Sequence, residues 1–300
     1  MKNDIYAAID VGSNSVRLMV AQNENGRLTV LHTDRITTRL MNGVKDGILS
    51  SESAEATAQA IARHADTARA LGADLIHAFG TSALRDAQNS ADFSARTQSL
   101  CGLRVRIISG VEEAQLAYAG AAPDGKCGVI DIGGGSTELI IGADGHMIRA
   151  HSAQLGAVRL MNELNGRLNP EEMVRTATER LRKTVETVCT DAPDKWIGVG
   201  GTITTLAAMS KKVSKYTPNA IYDYPLTEEC IRGWLTELCE MPVEKRRFLI
   251  GLTPNRADII PYGAAILLAV IRSAKADPVH ACDRDNLEGY ILKNMLPGKT

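Results

Sequence analysis

Three hundred residues with 44% hydrophobic content supply two ordinary domain cores without help from disulfides. Thirty-four basic against thirty-five acidic residues leave a net charge of −1, so a polyanionic partner must be held by a local site and not by a global field. Aromatics at 4% argue against base-stacking platforms, and nucleic acid is not the expected partner.

The first predicted strands are Ile5 to Asp10, Val16 to Gln22 and Leu28 to His32. The loop between the first two, Gly12-Ser13-Asn14-Ser15, follows Asp10-Val11. Arg17 lies just past it, either as a cation for a phosphate or as a solvated strand residue. Arg35 to Lys45 reads as a loop or short strand. Ser50 or Ser51 caps a helix that runs to about Leu71 and ends at Gly72. Leu75 to Phe79 is a strand, and Gly80 to Asp86 leaves its carboxyl end as a loop of small and hydroxyl residues. Arg85 in that loop has the fork geometry to grip phosphate, or pairs with Asp86. Asn89 to Leu100 is helical and Val105 to Ser109 is a strand. A helix then starts at Ser109 with Glu112 and Glu113 in its first turn. Acids there suit the helix dipole, and either one equally suits a general base acting on water.

Ala121 to Lys126 is turn-rich and marks the expected boundary between a first lobe, 1–123, and a second, 124–284. The segment GVIDIGGGSTELIIG, Gly128 to Gly142, then joins two apolar strands through Asp131, three glycines, Ser136, Thr137 and Glu138. Consecutive glycines expose backbone amides as an anion cradle, and carboxylates beside it suit Mg²⁺. The N-terminal hairpin aligns with this one without a gap through the loop: Asp10 falls on Asp131, Gly12 on Gly133, Ser15 on Ser136 and Leu18 on Leu139. Asn25-Gly26 and Asp144-Gly145 suit second tight turns. Two copies of strand–Asp–Gly loop–strand imply two related lobes, each with a phosphate-binding hairpin facing a shared cleft.

Met147 to Ser152 continues the second sheet, and Arg159 at a helix start is a further candidate phosphate ligand. Asn169 and Pro170 open a helix to about Cys189. Trp196 to Val199 is a strand whose glycine turn, including Gly201, feeds the helix Ile203 to Met209 as another anion site. Thr227 to Met241, Glu244 to Ile250 and Ala264 to Ile271 are helices, with a cap the preferred role for Arg256 and Asp258. Val279-His280 is a short strand. A closing helix over 285–296 is expected to pack back on the first lobe. The six cysteines have no metal spacing and are expected to be buried free thiols in a reducing, cytoplasmic compartment. No signal peptide or membrane-spanning run is apparent, so no membrane association is expected.

Taken together, Asp10 to Leu18, Thr81 to Ala87, Ser109 to Ala114, Asp131 to Glu138, Leu155 to Leu160, Gly198 to Thr202 and Arg256 to Ile260 resemble the exopolyphosphatase/guanosine pentaphosphate phosphohydrolase family. That family lies within the actin–sugar kinase–Hsp70 ATPase superfamily. The resemblance implies an α/β fold of two ribonuclease-H-like, actin-like ATPase lobes with an interdomain cleft. It implies hydrolysis of the terminal phosphoanhydride of inorganic polyphosphate of short to medium length, or of the pentaphosphate guanosine alarmone. By the family pattern Glu113 activates water, and Asp131 and Glu138, with Asp10 nearby, hold Mg²⁺ or alternatively Mn²⁺. Amides of Gly12, Ser13, Asn14 and Ser15, and of Gly133, Gly134, Gly135 and Ser136, grip phosphates together with Arg85. The resemblance also implies a homodimer.

Two features depart from the pattern. The chain stops at Thr300, without the helical HD-like region of longer members, which bears on preference for very long polymer. Asp285-Asn286-Leu287-Glu288-Gly289 stands where relatives have Gly-Leu-Arg-Glu-Gly, without the arginine. A kinase reading lacks any sign of a sugar site. A non-catalytic nucleotide sensor predicts that Glu113→Gln behaves as wild type.

Overall fold

The computed structural model describes residues 4–24, 27–121, 125–215, 217 and 219–296. The Asn25-Gly26 turn and most of the junction at Ala122 to Asp124 lie outside the described residues. The chain divides into two compact units: Met1–Gly120 with Asn286–Thr300, and Ala121–Asp285.

The first unit begins with β1 (Ile5–Val11), every residue of which is buried, and β2 (Ser15–Glu24). A strand covered on both faces must be apolar throughout, which is how IYAAIDV reads apart from its aspartate. β3 (Arg27–Thr37) is much longer than expected: it follows β2 in antiparallel register to Ser15↔Thr37, and its mostly exposed residues mark it as an edge strand. Arg39, in the left-handed region, then leads into a 3₁₀ turn (Leu40–Gly43) and a small hairpin of β4 (Val44–Lys45) and β5 (Ile48–Leu49).

The helix α1 (Ser51–Ala70) is capped by the Ser50 hydroxyl, which accepts from the Ser53 amide. β6 (Leu75–Gly80) pairs parallel to β1. The expected ligand loop after it contains a one-turn helix, α2 (Ser82–Arg85), followed by α3 (Ser90–Cys101), β7 (Val105–Ile107) and α4 (Gly110–Ala121). The sheet order is β3-β2-β1-β6-β7.

The second unit repeats this plan. β8 (Lys126–Ile132), β9 (Thr137–Ala143) and β10 (His146–Ala153) form an antiparallel meander. Then come α5 (Ala157–Glu163), α6 (Pro170–Val188), β11 (Lys195–Val199) and α7 (Gly200–Ser210). On α6 the buried residues Met173, Ala177, Leu181, Thr184 and Val188 recur every three or four positions, a single helical stripe. β12 (Pro225–Leu226), α8 (Glu228–Glu240), α9 (Val243–Arg246), α10 (Ile260–Ala274) and β13 (Val279–Ala281) complete the unit. α9 is shorter than the expected Glu244 to Ile250 helix. Residues 260–271 of α10 are buried on every side, which makes it the central core helix of this unit. The sheet order is β10-β9-β8-β11-β13-β12. Both sheets therefore run as three antiparallel strands followed by two parallel ones, with β12 added at the far edge of the second.

The chain ends its described course in α11 (Asn286–Asn294), which belongs to the first unit. Leu287, Tyr290, Ile291 and Met295 join Tyr6, Ala8, Met19, Phe79 and Leu116 in one apolar cluster. The Tyr290 ring stacks on Phe79 with centroids 4.3 Å apart. A side chain at Gly289 would collide with the Leu116 carbonyl, so glycine lets the helix approach α4 closely. Leu287, at the position where the family resemblance implies arginine, is thus an apolar anchor of this helix. All six cysteines are free, but only Cys127 and Cys282 are buried; the other four are half-buried, contrary to expectation, because they lie at element ends or on partly solvated helix faces. Among the described residues no helix is long and apolar enough to cross a membrane.

Candidate active site

Asp10, Arg85, Glu113 and Asp131 lie at or just past the carboxyl ends of β1, β6, β7 and β8, whereas Arg17, Glu138 and Ser152 lie on the antiparallel strands beside them. β1 carries Asp10, which is only 3% exposed, next to the first glycine turn. The Gly12 amide donates to the Ser15 carbonyl at 3.1 Å and closes that turn. The Ser13 carbonyl accepts from the Met41 amide, and the Asn14 carbonyl from the amides of Thr38 and Arg39. In a trans peptide the carbonyl of one residue and the amide of the next point in opposite directions. The amides of Asn14 and Ser15 therefore face away from the segment 38–41 that backs the turn.

The second turn has the same closure, with the Gly133 amide donating to the Ser136 carbonyl at 3.0 Å. Here the backing is the start of α5. The Ala157 amide donates to Gly133, the Val158 and Arg159 amides to Gly134, and Arg159 Nε to the Gly135 carbonyl at 2.8 Å. The same peptide geometry turns the amides of Gly134, Gly135 and Ser136 outward. A Cβ at Gly156 would collide with the backbone of Gly134 and Gly135, so this close contact needs glycine.

This geometry divides the expected phosphate ligands. Asn14, Ser15, Gly134, Gly135 and Ser136 present amides outward. Gly12 and Gly133 use theirs to close the turns. Arg159 lies behind its turn as a buttress. Thr137 is fully buried and its hydroxyl donates to the Leu155 carbonyl at 2.6 Å, joining β9 to the segment before α5. Ser13 is buried within the first turn. Gly201 lies in the first turn of α7, and a side chain there would collide with the Arg256 guanidinium. Arg256 is therefore at the start of α7, a neighbour its sequence position does not disclose.

The carboxylates differ in their surroundings. Asp131 and Glu138 are cross-strand partners on β8 and β9, 6% and 1% exposed. Ser152, opposite Glu138 on β10, donates its hydroxyl to Glu138 Oε1 at 2.6 Å. Asp131 rests against Gly200, whose φ of +80° and contact with Asp131 Oδ1 both demand glycine. Asp10 is the cross-strand partner of Arg17, whose Nε donates to Asp10 Oδ2 at 3.0 Å, with a second, closer contact through Nη2. Arg17, expected as a cation for a phosphate or as a solvated strand residue, is mostly buried and ion-paired with Asp10.

Among the described residues no three His, Cys, Asp or Glu side chains gather into a metal-ligating group. Mg²⁺ keeps several waters and commonly takes one or two protein carboxylates, so the hard oxygens of Asp131 and Glu138 fit it as a donor set. Asp10 belongs to the first unit, where Arg17 donates to its carboxylate.

The structure also separates Glu112 from Glu113. Glu112 accepts the Ser109 amide at 2.8 Å, the Ser109 hydroxyl accepts the Glu112 amide at 3.2 Å, and Arg106 donates to Glu112 Oε1 at 2.6 Å. This reciprocal cap closes the start of α4. The bond from the Ser109 amide, followed by the Ser109 hydroxyl and the charge of Arg106, holds the Glu112 carboxyl below the usual range. Glu113 instead turns inward, 6% exposed, and accepts from Arg85 Nη1 at 3.0 Å. The same guanidinium nitrogen donates to the Ile108 carbonyl at 3.1 Å. Two strand ends, β6 through α2 and β7 through α4, thereby meet in one carboxylate–guanidinium pair.

Ser152 and Gly156 were not among the expected site residues, and Gly200 was expected only as part of the glycine turn before α7. Gly156 and Gly200 sit in glycine-containing turns that could have marked them, whereas nothing distinguishes Ser152 from any other strand residue.

Comparison with known proteins is consistent with this geometry. The Ppx/GppA phosphatase family model matches residues 19–297. A protein of Mycobacterium tuberculosis named exopolyphosphatase 2 is 32% identical over 315 residues, covering 95% of this chain and 97% of that one. The crystal structure of the Aquifex aeolicus member of the Ppx/GppA family superposes with a TM-score of 0.79 at 30% identity, covering 96% of each chain. A solved exopolyphosphatase-like protein gives a TM-score of 0.88 at 27% identity over 97% of this chain and 98% of that one. The chain belongs to the Ppx/GppA phosphatase family, and its α/β fold is the actin-like fold of that family.

Proposed function

We propose that this protein is an exopolyphosphatase that releases orthophosphate from the end of short to medium inorganic polyphosphate. The observation that carries the reading is the pair of glycine turns whose Ser13, Asn14, Gly133, Gly134 and Gly135 carbonyls are anchored from behind, leaving outward amides beside a buried aspartate in each unit. A repeating phosphate chain is a ligand that a repeated amide cradle suits, and the M. tuberculosis relative bears the corresponding name.

Phosphoryl transfer asks the protein mainly for positioning and charge neutralisation. In the proposed mechanism the amides of Asn14, Ser15, Gly134, Gly135 and Ser136 hold phosphate oxygens. Arg85 contributes a fixed positive charge to the equatorial oxygens. Glu113, oriented by Arg85 and by its place in the first turn of α4, aligns the attacking water and accepts its proton. A Mg²⁺ ion held by Asp131 and Glu138 would supply Lewis-acid stabilisation of the developing charge. Ser152 fixes the orientation of Glu138.

The test is phosphate release with Mg²⁺ from medium-length polyphosphate, the pentaphosphate guanosine alarmone and ATP, wild type beside Glu113→Gln. Release from polyphosphate that falls by about 10²- to 10⁴-fold in the variant is expected of a lost general base. Release from the alarmone alone would make the protein a pentaphosphate phosphohydrolase. No release from any substrate would leave a non-catalytic sensor as the reading.

A further inference from the structure

β7 lies at one edge of the first sheet and pairs with β6. A cavity of about 530 Å³ runs along it, lined by residues 104–107 and, from α3, by Ser90, Ala91 and Ser94. Successive side chains of a strand point to opposite faces, so four consecutive residues line one groove only where it follows the open edge of the strand. The Ile108 amide donates to the Gly80 carbonyl at 3.0 Å, which turns the peptide groups of residues 106 and 108 toward β6 and those of Val105 and Ile107 toward the groove. The Ser94 hydroxyl, on the helical wall, donates to the Val105 carbonyl at 3.3 Å, as that geometry requires. Among the described residues no strand lies on this side, so the amide and carbonyl of Ile107 are open to one.

Charge selects the strand that fits. Arg104 and Arg106 share one face of β7, and both are exposed. Arg106 is held by Glu112 Oε1 at 2.6 Å, whereas Arg104 makes no ion pair among the described residues. No acidic residue lines the cavity. Ser90 and Ala91 belong to the first turn of α3, the positive end of its dipole, and the acid of that turn, Asp92, is outside the lining. Two copies of β7 paired about a two-fold axis would set arginine against arginine, which disfavours a second copy of this strand as the occupant.

We propose that the β7 edge is a docking site at which an extended acidic segment of a partner protein adds to the five-stranded first sheet. The backbone of the segment pairs with Ile107 and its acids lie beside Arg104. Small apolar residues on its other face meet Ile107 and Ala91. In strand addition of this kind main-chain bonds give affinity and alternate side chains give specificity. None of these residues takes part in the proposed hydrolysis.

The test measures binding of the fluorescein-labelled peptide Glu-Val-Glu-Val-Glu-Val by anisotropy, with Lys-Val-Lys-Val-Lys-Val as control. Wild type is compared with Ile107→Pro, which deletes an amide facing away from β6, and with Arg104→Glu, which reverses the free charge. Wild type should bind the acidic peptide saturably and the basic one not at all. Each substitution should weaken that binding about 10-fold and leave phosphate release unchanged. Amide hydrogen exchange over residues 104–108 should slow when the acidic peptide is bound. No binding by wild type, or equal binding by wild type and either folded variant, overturns the proposal, and so does binding without slowed exchange. Should Ile107→Pro fail to fold, Arg104→Glu and the exchange measurement decide. Self-association of wild type that Ile107→Pro abolishes would assign the edge to a second copy and likewise overturn the proposal.

Discussion

The two glycine turns reach one backbone geometry through different supports. The first is backed by an irregular segment, Thr38 to Met41, that includes Arg39 in the left-handed region. The second is backed by the first residues of a helix, α5, and by the Arg159 side chain. Asp, Gly and Ser at matched positions suffice for the closure from Gly12 to Ser15 and from Gly133 to Ser136. What holds the carbonyls, and so directs the amides, comes from elsewhere in each chain segment. A support made of a helix start is stiffer than one made of a loop, and it is more exposed to a single bad side chain.

That contrast is broken most severely at Gly156. A Gly156→Val substitution should drive α5 off the second turn, lowering kcat/KM by about 100-fold through misplaced amides. The overpacking should also destabilise the second unit by about 1–3 kcal/mol, seen as a lower thermal midpoint. An unchanged kcat/KM would mean that the turn does not depend on α5.

Glu112→Ala sharpens the division between neighbouring glutamates in the first unit. It should cost about 1 kcal/mol of stability as a lost cap, while phosphate release falls far less than in Glu113→Gln. Equal losses of activity in the two variants would contradict the separate roles.

Thr137→Val tests whether that residue meets ligand at all. Removing its bond to Leu155 should cost about 1 kcal/mol in thermal or denaturant unfolding with KM unchanged. A raised KM would return Thr137 to the phosphate ligands.

The smallest expected effect concerns His64 on α1, which is 1% exposed and bonds through Nε2 to the Val16 carbonyl beside the first turn. Burial pushes its pKa below 6.5, partly offset by the Val16 bond and by Asp34. With a folded value below the unfolded one, the unfolded chain takes up the proton first. Stability should be full above pH 6.5 and be lost as pH falls below it. The thermal midpoint of wild type should therefore drop more steeply below that pH than that of His64→Gln, and matching slopes would remove His64 as the cause.

Much of the fold could be read from local pattern. The fully apolar run of β1, the serine cap of α1, the Asn169-Pro170 start of α6 and the buried run of α10 each carry their own physical signature. The length of β3 did not show, because an edge strand with mostly exposed residues has no apolar alternation to reveal it. The one-turn helix at Ser82–Arg85 was hidden for a similar reason: four residues are too few to display a period.

At the site, sequence alone determined the residue types and their repeat: Asp10 and Asp131, the glycine turns, Arg85, and the adjacent acids Glu112 and Glu113. Those features are local, set by steps of a few residues along one chain segment. Tertiary structure decided which acid caps and which turns inward, that Arg17 neutralises Asp10, that Thr137 faces the core, and that Arg159 stands behind its turn. Apart from the Glu112 cap, whose partner Ser109 is three positions away, these outcomes depend on partners 7 to 28 positions away brought close by strand register or helix docking. Such distances in space are fixed by packing and leave no trace in the spacing of residues.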